Sequence, residues 1–109
     1  MMTPSYSLDD AEARHREAPE TFRIPDSGQR DNIKPGQLVK LIFLPRERDP
    51  VHDWVTSERM WVQVERRLDD GGYLGKLDNY PLVVDLEPGD PVQFQARHVI
   101  DVCDPRDVE

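Results

Sequence analysis

The chain has 109 residues, with 22 Asp and Glu against 14 Lys and Arg for a net charge of −8, which fits one small soluble domain. A pI near 4.8 works against a nucleic-acid phosphate surface, because the few basic pairs, Arg46 with Arg48 and Arg66 with Arg67, sit among carboxylates. No stretch approaches the roughly 18 apolar residues that a membrane span needs, and no charged start leads into a signal-like apolar core. The expected setting is therefore cytoplasmic, away from membranes and nucleic acid. A single cysteine cannot staple the fold internally, so stability has to come from an apolar core.

Residues 1–36 are polar and carry Pro4, Pro19, Pro25 and Pro35. Within them, Ser7 followed by Asp9, Asp10 and Glu12 reads as an N-cap with acids in the first turn, predicting a helix from about Leu8 to Ala18 that Pro19 ends. Its apolar positions, Leu8, Ala11, Ala13 and Ala18, are small and sparse, which suits a helix lying on a sheet surface. Thr21 to Asn32 reads as an exposed arm with Phe22 and Ile24 as anchors. Apolar density begins at Leu38, so the β-rich core is expected over residues 37–103, with an acidic tail at 104–109.

Leu38 to Leu44 is an apolar run broken only by Lys40 and bounded by Pro35-Gly36 and Pro45, which predicts a strand covered on both faces. Pro45 to Ser57 is charged, contains two prolines and reads as a long loop. Arg59 to Asn79 holds two alternating runs around Asp69-Asp70-Gly71-Gly72, the pattern of a hairpin with a type I′ turn. Centring the turn on Asp70-Gly71 sets Leu68 opposite Tyr73, Glu65 opposite Lys76, Val64 opposite Leu77 and Trp61 opposite Tyr80. Met60, Val62, Val64, Leu68, Tyr73, Gly75 and Leu77 then share the core face. Trp61, Gln63, Glu65, Arg67, Leu74, Lys76 and Tyr80 share the other.

Ile33-Lys34-Pro35-Gly36-Gln37-Leu38-Val39 is echoed by Leu86-Glu87-Pro88-Gly89-Asp90-Pro91-Val92. Pro at the first central position and Gly at the second describe a type II turn, so both copies are expected to reverse the chain into a strand. The second strand runs from Pro91 to about Gln95 with Val92 and Phe94 inward. A turn at Ala96 to His98 leads to a last strand, Val99 to Cys103.

Ser57-Glu58-Arg59-Met60-Trp61-Val62, Gly72-Tyr73-Leu74-Gly75-Lys76-Leu77-Asp78-Asn79-Tyr80-Pro81, Pro88-Gly89-Asp90 and the closing His98-Val99-Ile100-Asp101 together resemble the YegJ-like family of bacterial domains of unknown function. The likeness covers about Asn32 to Val102. It implies an interaction module, immunity-like in character, since similar domains recur beside bacterial toxins. It supplies no catalytic residues.

The predicted fold class is α+β: an N-terminal helix packed on a strongly bent, mainly antiparallel sheet of five or six strands, with a small SH3-like barrel as its closed form. Trp61 and Tyr80, with Arg59 and Asp78 nearby and Trp54 in the loop 45–57, are the candidate partner-binding residues. Covered by the helix or by Phe22 and Ile24, the two hairpin aromatics would instead be core. An acidic surface suits a basic protein partner. His52, Asp53, His98, Asp101 and Cys103 match no metal-ligand spacing, although His52, Asp53 and His98 would serve as polar contacts if strand ends and loop enclosed a small-molecule pocket. Cys103 and His98 are five residues apart and would face opposite sides of a strand. No phosphate-binding glycine loop or nucleophile elbow occurs, so the expectation is a non-enzymatic interaction domain without metal or cofactor, the alternatives being a small-molecule or metal binding domain or a homodimeric structural protein.

Overall fold

The structure, a computed structural model, describes residues 5–105; most of the acidic tail, residues 106–109, lies outside them. Six strands, β1 (Tyr6–Leu8), β2 (Leu38–Pro45), β3 (Glu58–Arg67), β4 (Tyr73–Leu77), β5 (Pro91–Phe94) and β6 (Val99–Cys103), accompany two short helices, α1 (Ala11–Glu17) and α2 (Ser27–Asp31), and a 3-10 turn at Ala96–His98. All the strands join one antiparallel sheet. β2 to β5 form a meander, and β1 and β6 share the free edge of β2, β6 pairing with Leu38 to Leu41 and β1 with Phe43 to Pro45. The sheet curls strongly into a half-barrel, with no ladder between β1 and β5 among the described residues.

The concave side carries the core. Val39, Leu41 and Phe43 of β2, Met60, Val62 and Val64 of β3, and Tyr73 and Leu77 of β4 are buried together with Ile33, Val84, Val92, Phe94 and Val99. Tyr73 and Phe94 stack with ring centroids 5.2 Å apart. Ile42 and Ala11 are also buried but stand apart from this cluster, so β2 is covered on both faces, as its continuous apolar run requires.

Both Pro-Gly turns form as the sequence predicts. Gly36 and Gly89 each have φ +92°, and the i+3 amides of Gln37 and Asp90 donate to the carbonyls of Lys34 and Glu87 at 3.1 and 3.0 Å. The equivalence runs further, because the side chains of Gln37 and Asp90 accept from the Lys34 and Glu87 amides, both at 2.8 Å. Each turn also docks on a strand by the same two bonds: Gly36 N–H to Val64 O and Val64 N–H to Gln37 O, then Gly89 N–H to Leu77 O and Leu77 N–H to Asp90 O.

The N-terminal arm departs from expectation. Ser7 and Leu8, predicted as the cap and first residue of a helix, instead pair with β2 as part of β1. Asp10 rather than Ser7 caps α1, accepting from the Ala13 amide. The arm also contains α2, capped by Asp26. Arg30 of α2 is buried, reaches the carbonyl of Pro25 at 2.8 Å and pairs with Glu12 of α1. Its own carbonyl accepts the Tyr73 hydroxyl at 3.0 Å. A guanidinium with a carboxylate and a carbonyl partner is satisfied where a bare charge would be costly.

The hairpin is present with a different turn and register. The amide of Leu68 donates to Gly72 O and that of Gly71 to Leu68 O. Gly71 has φ +90° while, among the described residues, no non-glycine residue has positive φ. This is a three-residue loop with Gly in the left-handed position, whereas a type I′ turn would need positive φ at Asp70 as well. A bulge between Val64 and Arg66 then gives Val64↔Gly75, Gln63↔Lys76 and Val62↔Leu77. Glu65 and Lys76 still meet, 3.0 Å apart, although they are not paired across the ladder.

The bulge brings β3 onto Gly75. A Cβ there would lie 2.6 Å from both Gln63 O and Val62 Cγ1, so Gly75→Ala is expected to destabilise the protein by about 2 kcal/mol through forced repacking. Gly28→Ala, where the nearest atom is Asp26 Oδ1 at 3.4 Å, should not destabilise it. Urea unfolding of the two variants checks the contrast.

Candidate functional site: an apolar loop end

In an antiparallel meander the β2–β3 and β4–β5 connections emerge at one end and the β3–β4 hairpin at the other. Among the described residues, the exposed large hydrophobic side chains are Val51 (72%), Trp54 (69%), Tyr80 (89%) and Leu82 (55%). All four lie in the two connections at the same end. Exposed apolar groups gathered in one region, unlike isolated ones, mark interaction surfaces.

The β2–β3 connection, residues 46–57, has internal structure. The Asp49 carboxylate accepts the amides of Val51 and His52 at 2.8 and 3.0 Å, and the Val55 amide donates to His52 O. Those two amides, His52 first, hold the Asp49 carboxyl below its ordinary range. The His52 ring stands edge-on to Trp54 at 5.2 Å.

The β4–β5 connection, residues 78–90, is anchored from two sides. Glu58, the first residue of β3, accepts the amides of Leu82, Val83 and Val84, the last two at 3.0 and 2.7 Å. Val84 is buried in the core, and Val83 and Leu86 pack against it. Asn79 accepts the Trp61 amide through its side chain, and the Asp78 amide donates to Trp61 O at 2.9 Å. With its backbone held inward, the segment turns Tyr80 and Leu82 outward. It carries Asp78, Asp85, Glu87 and Asp90 and no Lys or Arg, so the apolar tips have an acidic rim on the β4–β5 side, whereas the β2–β3 connection sets Arg46 and Arg48 beside Glu47, Asp49 and Asp53.

The predicted Trp61–Tyr80 pair is not made. The bulge and the longer turn place Trp61 beside Asp78, leaving Tyr80 beyond the end of β4. Trp61 is half-buried on the convex face with Lys40 Nζ 4.7 Å from its ring centroid. The arm meets β3 at Arg59, whose guanidinium lies 5.8 Å from the Phe22 ring while the residue itself stays exposed. Of the predicted residues, Trp54 and Tyr80 therefore share the apolar end, with exposed Asp78 at its margin. Val51, Leu82 and the positioning role of Glu58 carried no distinguishing sequence signal.

His52 and Asp53 lie in the β2–β3 connection, whereas His98 sits at the hairpin end of the sheet, so no single pocket gathers them. Among the described residues no group of three His, Cys, Asp or Glu is placed to hold a metal ion, and no helix is long and apolar enough to cross a membrane. Cys103 donates weakly to Asp104 O. No family model, curated protein or solved structure matches this chain, so the geometry carries the functional reading.

His98 accepts the Gln95 amide at Nδ1, 3.0 Å away. Burial, followed by the neighbouring Arg97, pushes its imidazole below the ordinary 6.5, against the pull of Asp10, Asp9 and Glu12. The unfolded chain therefore binds the proton more readily than the folded one, and stability must fall as pH drops through about 6.5 toward the lower folded value. Unfolding free energies measured between about pH 7.5 and 5.5 should show that decline, and His98→Asn should flatten it.

Proposed function

We propose that this protein is a non-enzymatic interaction module of the cytoplasm whose binding surface is the apolar end formed by the two connections. The observation that carries the reading is that the exposed large hydrophobic side chains, Val51, Trp54, Tyr80 and Leu82, lie in two connections at one end of the sheet whose backbones are held by hydrogen bonds to Asp49 and Glu58. Large aromatic side chains on a preformed backbone supply contact area at low entropic cost, and such residues dominate interface energetics. The acidic rim at Asp78, Asp85, Glu87 and Asp90 favours a basic protein partner by steering encounter and disfavouring acidic competitors.

Trp54 and Tyr80 have little native surface to lose, so replacing both with Ser should change unfolding free energy by less than about 0.5 kcal/mol. The same double variant should weaken binding to a partner captured from the native cell by at least about 30-fold, the equivalent of about 2 kcal/mol. Calorimetric titration of the purified partner reads the difference. A partner that binds both proteins equally would remove this surface from the account.

A further inference from the structure

A second feature lies on the convex face of the sheet, away from the apolar tips. The arm at Phe22 and Arg23, Lys40 of β2, Arg59 of β3, and Ile100 and Asp101 of β6 line a cleft of about 340 Å³. Three of those side chains are cationic in a chain with eight more acids than bases. Among the described residues none of the three is in an ion pair: the pairs join Arg14 to Asp9, Arg30 to Glu12, His52 to Asp49 and Lys76 to Glu65. Asp101, the carboxylate in the lining, uses Oδ1 to accept the Val102 amide at 2.9 Å. Although Asp101 stands opposite Lys40 in the β2–β6 ladder, the two do not form a salt bridge.

Two of the cations, Lys40 and Arg59, are held in place by aromatic rings instead of carboxylates. Lys40 Nζ sits over Trp61 at 4.7 Å, and the Arg59 guanidinium lies near Phe22 at 5.8 Å. A ring positions a cation without neutralising it, so the positive charge stays available to a ligand. Guanidinium groups match the planar oxygens of carboxylate and phosphate, and a concave site lined by one sign of charge concentrates the opposite sign. Phe22 and Ile100 add apolar wall, and the volume falls at the lower end of the range for small-ligand sites.

We propose that this cleft binds a small organic oxyanion, a carboxylate or phosphate carried on an apolar body. Arg23, Lys40 and Arg59 take the charged group, and Phe22 and Ile100 contact the body. The site is separate from the apolar loop end and stands or falls independently of it.

Trp61 reports on the cleft through Lys40. The chain has two tryptophans, so Trp54→Phe leaves Trp61 as the sole indole emitter. In that protein, at low ionic strength, benzoate and phenyl phosphate are titrated beside inorganic phosphate, benzyl alcohol and an oligoglutamate peptide, with a thermal melt confirming the fold of each variant. The expected result is a saturable change in Trp61 emission with benzoate or phenyl phosphate, the tighter of the two identifying the headgroup. Affinity should drop at least tenfold with Arg59→Gln and again with Arg23→Gln, and benzyl alcohol should give no response. Failure of both aromatic anions to saturate would overturn the proposal, as would saturation untouched by the two arginine substitutions. Equal affinity for inorganic phosphate would overturn the role of the apolar body, and saturation by oligoglutamate alone would exclude a small-molecule occupant.

Discussion

The Glu58 carboxylate is the constraint on which the functional end of the molecule depends. A connection of 13 residues between β4 and β5 has backbone amides that no strand satisfies, and Leu82, Val83 and Val84 give theirs to this one side chain. Hydrogen bonds to an ionised acceptor are among the stronger ones in proteins. By binding three consecutive amides at the first residue of β3, Glu58 lets Val84 enter the core while Tyr80 and Leu82 stay outside. The neighbouring connection is ordered by the same device on a smaller scale, Asp49 accepting two amides. Acidic residues here organise loop backbone as well as setting net charge.

The half-barrel divides its surfaces by chemistry. Its concave side is filled by the apolar core, its loop end presents apolar tips beside an acidic rim, and its convex side holds three cations, two of them braced on aromatic rings. Arg30 ties the polar arm to this frame, joining α2 to Glu12 of α1 while its carbonyl receives the Tyr73 hydroxyl from the core. The arm thereby supplies Phe22 and Arg23 to the convex cleft. A segment with little apolar content of its own thus becomes a wall of a candidate site.

Much of this was legible from sequence because it rests on local rules. The Pro-Gly echo specifies both type II turns, and the run at Leu38 to Leu44 specifies the doubly covered strand. The hairpin faces were readable even though its pairs were not. A three-residue turn shifts the ladder by one residue and the bulge near Glu65 by another, so the alternation of inward and outward residues is restored while each partner moves. That double shift separates Trp61 from Tyr80. What sequence did not reveal depends on distant partners. β1 is a strand only because the far end of β2 offers an edge, α2 has no apolar stripe to announce it, and Glu58 looks like any acid at the head of a strand until residues 82–84 arrive beside it.

The most direct test of a preformed apolar end is amide hydrogen exchange at Leu82, Val83 and Val84, comparing the native protein with Glu58→Ala. Slow exchange is expected at all three in the native protein and near-intrinsic exchange at Leu82 and Val83 in the variant, with the amides of β2 unchanged. Unprotected amides in the native protein would contradict it, because the connection would then present Tyr80 and Leu82 without a fixed backbone beneath them.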